Sequence, residues 1–467
     1  MPFRTLLFIT LFVTCAGGAL FVPLLGILGY VAHYTVGPER QWWAAPIRNW
    51  GIRYSYMLAL LTAIGVLLHF RNLQYGRTLI RNQEKLILLF LGVVWLSVMI
   101  GEPTVAYAEV DHPSVKMLKI VLFVLMLTHI VTTEKRLNAL FWVLTVSTLL
   151  LGVQAYNTPK SAFEHGRLET VGGADFLESN FLSAFLAAML PLIGVQFLRS
   201  TWKGKVVCLV AGVFAANAII LTRSRGAVVG IAAGCVVAVL LAPRGRRIVI
   251  LSCMVVALAG GYYLMDPGFI GRASTIPLST TEARSAEPGR TETWVASMKL
   301  LEDKPLGVGA GNFSQAIGRY DIRQAGRDAH NTVARCYSEL GLQGAIAFLA
   351  VIGGALWVLR RVAREAEKIP QPDRDRVVYA SYGLAVGIVT MLICGLFVTL
   401  LYTEVLWWLL ALPVCMERVV SNLLPTAGHV PRESGEPAED QPGDKEGTAH
   451  LAVEDTGCVS RDRRHST

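Results

Sequence analysis

The chain has 467 residues, of which 53% are hydrophobic and 16% charged, with a formal net charge of +9. Soluble globular domains carry about 25% charged residues, so this composition excludes an ordinary soluble protein and points to one embedded in a membrane. The positive charge does not call for nucleic acid as a partner, because Lys and Arg collect in the cytoplasmic loops of membrane proteins for topological reasons.

Apolar stretches long enough for a hydrocarbon core of about 30 Å recur along nearly the whole chain. They lie near residues 6–33, 54–70, 86–100, 117–131, 137–155, 181–197, 206–221, 227–241, 248–264, 341–360, 378–398 and 403–420. This pattern predicts an all-α, polytopic integral membrane bundle of about twelve transmembrane helices. The first stretch, Leu6 to about Tyr34, reads as an uncleaved first crossing kinked at Pro23, with a tight hairpin as the alternative. The eight cysteines lie mostly inside apolar segments and never as C-x-x-C, which indicates core filling rather than a metal site or disulfide framework.

Basic residues cluster in alternate connections: Arg71, Arg77, Arg81 and Lys85; Lys135 and Arg136; Arg199, Lys203 and Lys205; Arg244, Arg246 and Arg247; Arg360, Arg361 and Arg364. By the positive-inside rule these are cytoplasmic, and both termini join them if the first stretch crosses once. The expected organisation follows. Residues 1–265 hold helices 1 to 9 with a short periplasmic loop near 156–180; residues 266–338 form a large, partly helical periplasmic loop; residues 339–422 hold helices 10 to 12. Residues 423–467, rich in Pro, Gly, Glu and Asp, form a disordered cytoplasmic tail.

Two features run against the charge rule. The turn "TRSRG", Thr222 to Gly226, puts Arg223 and Arg225 on the outer side, and the long outer connection carries Arg272, Arg284, Arg290, Arg319, Arg323, Arg327 and Arg335. Long loops translocate whatever their charge, which excuses the second feature but not the first. A guanidinium presents a fixed fork of donors matched to phosphate oxygens, so an anion at the membrane surface is the functional reading.

Within the long connection, "PGRTETWVASMKLLEDKPLG" predicts a helix with Trp294, Met298 and Leu301 on one face. It is opened by Pro288 and Gly289, closed by Pro305 and Gly307, and has Arg290 at its anion-attracting start. "GVGAGNF", Gly307 to Phe313, permits a close backbone approach but is no nucleotide-binding loop. In "GRDAHNTVARCYSELGLQG", residues 326–344, a helix starts at about Asn331, with Arg335 and Glu339 paired at i, i+4. His330 stands at the entrance, where it either caps the helix or faces a cavity and takes a proton from a sugar hydroxyl or contacts a phosphate.

"TRSRGA" at 222–227, "GRTETW" at 289–294, "PLGVGAGNF" at 305–313 and "AHNTVARCYSELGLQG" at 329–344 resemble the O-antigen ligase and polymerase superfamily of bacterial envelope glycosyltransferases, over roughly residues 160–360. The resemblance implies transfer of a glycan from undecaprenyl diphosphate at the periplasmic face of the bacterial inner membrane, among its lipids. Ligases pass the glycan to lipid A-core oligosaccharide, polymerases to another carrier-linked repeat, and relatives to protein hydroxyls. Residue by residue, it implies His330 as base or phosphate contact and Arg225 and Arg290 as diphosphate ligands. Asn331, Glu339, Arg335 and Arg223 are implied on the substrate side, joined by Arg167 and Asn180 from "EHGRLET" and "ESNFLSAF", with His165 as a rival imidazole. No cofactor or metal is implied, and a single displacement would invert the anomeric centre. An O-antigen ligase is the expectation. A polymerase or protein O-oligosaccharyltransferase is the alternative within the superfamily, and a polyprenyl-linked glycan transporter the non-enzyme one.

Overall fold

The computed structural model describes residues 3–73, 78–103, 112–242, 245, 247–265, 270 and 289–424. Arg77, Arg244, Arg246, Arg272, Arg284, Pro288 and the acidic tail beyond Leu424 lie outside the described residues. Those described are mostly helical, with no strand and a single isolated β-bridge between Glu164 and Arg167 among them.

Leaving aside short turns of helix such as Ala45–Arg48 and Phe313–Ala316, the helices in chain order are α1 (Phe3–Ala19), α2 (Pro23–Val36), α3 (Tyr54–Leu68), α4 (Asn82–Ile100), α5 (Pro113–Ile130), α6 (Glu134–Asn157) and α7 (Ser179–Arg199). They continue as α8 (Trp202–Thr222), α9 (Arg225–Leu241), α10 (Arg247–Leu264), α11 (Arg290–Asp303), α12 (Thr332–Glu365), α13 (Asp373–Cys394) and α14 (Glu404–Leu423). Among the described residues, 7 helices are long and apolar enough to cross a membrane: α4 to α8, α12 and α13. α1, α3, α9 and α10 are shorter apolar helices.

The N-terminal stretch takes the hairpin alternative. Pro23, which lacks an amide hydrogen, sits at the first position of α2, so the chain breaks at residues 20–22 instead of bending within one helix. α1 then runs back along α2, with the Phe8 ring 6.1 Å from His33 and the Thr5 hydroxyl bonded to Trp43 O at 2.9 Å. The start of α1 therefore shares an end of the bundle with the α2 C-terminus, and the parity argument, which assumed one crossing, does not hold.

The interior is a continuous apolar core. Trp407 of α14 is fully buried against Phe90 of α4 at 4.8 Å, and Phe90 meets Phe348 of α12 at 5.9 Å. One end of the bundle is closed by charge. Arg418 and Glu84 are both fully buried, with the guanidinium donating to both carboxylate oxygens at 3.0 and 2.9 Å and to Leu79 O at 2.8 Å. The Thr128 hydroxyl and the Arg81 amide also donate to the Glu84 carboxylate, at 2.5 and 2.6 Å. This joins α14 to α4 and α5 in an interior where an unpaired charge is costly.

Removing one partner of that pair should cost about 3–5 kcal/mol. Arg418→Met is expected to lower the unfolding temperature in detergent sharply, and Glu84→Leu with Arg418→Met to recover much of the loss.

Candidate active site

The other end gathers the polar groups expected from the sequence. α8 ends at Thr222, Arg223 takes the left-handed conformation with φ 49°, and Ser224 caps α9 by accepting from the Ala227 amide at 3.4 Å. The "TRSRG" turn is thus a two-residue helix-to-helix link that puts Arg225 at the first position of α9. Gly226 packs on Phe397, so this turn abuts the segment that leads from α13 into α14.

The loop before α7 folds against the same turn. The Leu168 amide bonds to Leu221 O at 3.1 Å, and Arg167 donates to Thr222 O at 3.0 Å and to Asn180 Oδ1 at 3.0 Å. Ser224 donates to that same Asn180 oxygen at 3.0 Å. Arg223 lies close over Gly166, and His165 is exposed at the tip of the tight turn. Asp175 anchors the far side of the loop. It accepts from Lys116 at 2.8 Å and from the Tyr34 hydroxyl, next to Glu404, whose two oxygens accept from Tyr30 at 2.8 and 2.9 Å.

The segment ahead of α12 supplies the histidine. Asn331 is the helix cap, its side chain accepting from the Val333 and Ala334 amides at 2.9 and 3.0 Å, which releases His330 from that task. Thr332 bonds into the α13–α14 connection through Gly395 O at 2.7 Å and Val398 O at 2.9 Å. Arg335 and Glu339 pair at 2.8 Å, as their spacing predicts, and Arg335 also donates to Asp328 Oδ1 at 2.6 Å. Glu339 is fully buried, and its other contacts are the Tyr402 hydroxyl at 2.8 Å and the Phe313 amide at 3.4 Å. It holds the wall together and does not line the opening.

Asp328 is the junction of this wall. Its Oδ2 accepts from Thr399 at 2.5 Å and from the His330 amide at 3.0 Å. Burial works against its charged form, but the Arg335 guanidinium and these donors outweigh that and hold the carboxyl below the usual aspartate range. Because the folded value is depressed, the stability it contributes is complete above the ordinary aspartate range and is lost as pH falls through the depressed value.

The glycine stretch is the brace behind the wall. Val308 and Gly309 amides bond to Ser338 O and Glu339 O at 3.0 and 2.9 Å, and Leu342 N bonds to Pro305 O at 3.0 Å. The approach is possible because Gly341, with φ 69°, breaks α12 where a side chain would meet Leu306 C at 2.4 Å. Gly307, with φ 84°, is the reciprocal contact, where a Cβ would stand 2.4 Å from Glu339 O.

α11 forms as expected, with Arg290 as its first residue, but its buried face is Thr293, Ala296, Ser297 and Leu300, and Met298 is exposed. The reason is that small residues fit the tight contact with α12, while Thr293 donates to Gln324 at 2.8 Å and Ser297 to Thr293 O at 2.7 Å.

Hydrogen bonds and ion pairs connect His330, Asn331, Arg335 and Glu339 through Asp328, hydrogen bonds connect Arg167 and Asn180 to the Arg223–Arg225 turn, the two groups meet where Glu178 stands 3.9 Å from His330, and Arg290 opens a helix packed on the same wall. Sequence reasoning missed Asp328, Glu178, Thr399 and Tyr402. Asp328 and Glu178 stand inside the motif stretches "GRDAHN" and "ESNF", where the acid two places from a key residue was the available signal.

An apolar cavity of about 140 Å³ adjoins this wall, lined by residues that include Thr332, Val333, Leu392, Leu396, Leu400 and Leu406. Residues 210–349 match the family model described as O-antigen ligase. This supports the O-antigen ligase superfamily. The matched segment runs from within α8 to within α12, and so contains the Arg223–Arg225 turn, Arg290, the glycine brace and His330, while Arg167, Glu178 and Asn180 come from outside it. No curated protein matches the chain.

Gly341→Ala should destabilise the wall by about 2–4 kcal/mol, since it combines a strained φ with a backbone clash. Limited proteolysis is expected to cut the 305–345 region faster in that variant. Asp328→Asn should flatten the loss of stability on acidification, followed as unfolding temperature against pH.

Proposed function

We propose that the chain is an O-antigen ligase that transfers a glycan from undecaprenyl diphosphate to a hydroxyl of lipid A-core oligosaccharide. In this reading the bundle crosses the bacterial inner membrane about twelve times and the His330 end faces the periplasm. The observation that carries the reading is the approach of His330 to Glu178, which Asn180 links to the basic turn between α8 and α9, with His330 and that turn both inside the segment that matches the O-antigen ligase family model.

The donor has two parts, and the site offers chemistry to each. Arg225 and Arg290 are positioned at helix starts, where guanidinium forks and N-terminal amides favour a diphosphate. The apolar cavity beside Thr332 suits a hydrocarbon chain entering from the bundle. His330, with a side chain 39% exposed, stands where an acceptor hydroxyl approaches. The hydroxyl oxygen attacks the anomeric carbon, its proton passes to His330, and the carbon–oxygen bond to the diphosphate breaks with the electron pair leaving on the phosphate. One displacement inverts the anomeric configuration. The leaving group is already activated, so the protein's contribution is positioning and charge stabilisation.

The test is transfer by purified protein between a carrier-linked glycan and rough lipopolysaccharide. Product on the lipid A core is expected, with His330→Ala abolishing it and Arg225→Ala and Arg290→Ala each weakening donor use by about 1–3 kcal/mol. Lengthened carrier-linked chains would instead select a polymerase, and lipid movement without transfer a transporter. Unchanged turnover in both arginine variants would remove the diphosphate clamp, and strict Mg²⁺ dependence would count against charge neutralisation by arginine alone.

A further inference from the structure

His330 has φ 45°, a left-handed value that a non-glycine side chain keeps only where its surroundings enforce it. The enforcement is local. Its amide donates to Asp328 Oδ2 at 3.0 Å, and Asn331 is locked as the cap of α12. The result is a ring turned so that Nδ1 is buried, without a hydrogen-bond partner among the described residues.

Two carboxylates face that buried nitrogen from different walls: Asp328 Oδ2 at 3.7 Å and Glu178 Oε1 at 3.9 Å. Both separations exceed a hydrogen bond, and catalytic bonds of this kind are commonly long before substrate arrives. Each carboxylate is held from behind. Thr399 and Arg335 fix Asp328 at 2.5 and 2.6 Å, and the Asn180 amide fixes Glu178 at 3.3 Å.

We propose that Asp328 and Glu178 are positioning residues that clamp Nδ1 of His330. They draw the ring proton onto Nδ1 and leave the Nε2 lone pair to face the substrate, since the partner of one ring nitrogen sets the tautomer of the other. This rests on the reading of His330 as the base. When the acceptor hydroxyl gives its proton to Nε2, the ring holds a proton on each nitrogen and carries positive charge. The two carboxylates offset that charge until the proton passes to solvent as product leaves. Arg335 and Glu339 act one layer back, fixing Asp328.

The experiment is nitrogen-15 NMR of histidine-labelled full-length protein in lipid nanodiscs, with the His330 signals assigned by their loss in His330→Gln. The neutral ring is expected mainly as the Nδ1–H tautomer, and Glu178→Gln with Asp328→Asn to shift the tautomer ratio several-fold toward Nε2–H. An unchanged ratio, or an Nε2–H ring in the native protein, overturns the clamp. Turnover supplies the second readout. Glu178 is half-exposed, so Glu178→Gln should fold; it is expected to lower kcat at least about tenfold at nearly constant donor KM, with partial recovery in Glu178→Asp. A change in KM alone, or full kcat in Glu178→Gln, also overturns it. If native protein transfers no glycan, the proposed function fails while the tautomer ratio still decides the clamp.

Discussion

One guanidinium between two carboxylates organises the polar end of this bundle. Arg335 bridges Asp328 at 2.6 Å and Glu339 at 2.8 Å, and each carboxylate is in turn bonded by a hydroxyl from the α13–α14 connection, Thr399 or Tyr402. A fully buried glutamate is tolerable only with such partners, because its charge has no water to stabilise it. The bridge therefore fixes the first turns of α12 against the α13–α14 connection, and with them the strained residue His330.

The two ends of the bundle use the same chemistry differently. Around Arg418 and Glu84 both side chains are fully buried, and the network seals the interior. Around Arg335 the chain of contacts continues outward: Asp328 and Glu178 are partly exposed, His330 is 39% exposed, and beyond them lie Asn180, Arg167 and the Arg223–Arg225 turn. A closed ion pair is a staple. At Arg335 the ion pair opens on its far side toward an imidazole and a basic turn, and the family match at residues 210–349 contains both of them.

Much of this arrangement was legible because it is local. The i, i+4 spacing of Arg335 and Glu339 announces their pair, and "TRSRG" between two apolar runs announces a turn, whereas the break of α12 at Gly341 was not legible, because a helix starting at Asn331 runs into the apolar stretch without a proline to interrupt it. What escaped is what the chain assembles across distance. Thr399 and Tyr402 lie far along the sequence from Asp328 and Glu339, and nothing in their neighbourhood advertises a carboxylate partner. The buried face of α11 escaped for another reason. Periodicity finds large apolar residues, whereas Thr293 and Ser297 are buried through hydroxyl hydrogen bonds. Pro23 was read as a kink, yet at a first helical position it starts a new helix, and the hairpin follows.

In the proposed function a diphosphate and an acceptor hydroxyl meet between the basic helix starts and His330. A cryo-electron microscopy structure in nanodiscs with a non-transferable polyprenyl-diphosphate glycan tests it most directly. Density for the diphosphate is expected against Arg225 and Arg290, with the anomeric carbon facing Nε2 of His330. A diphosphate bound at the Arg418 end, or glycan density away from the imidazole, would contradict it.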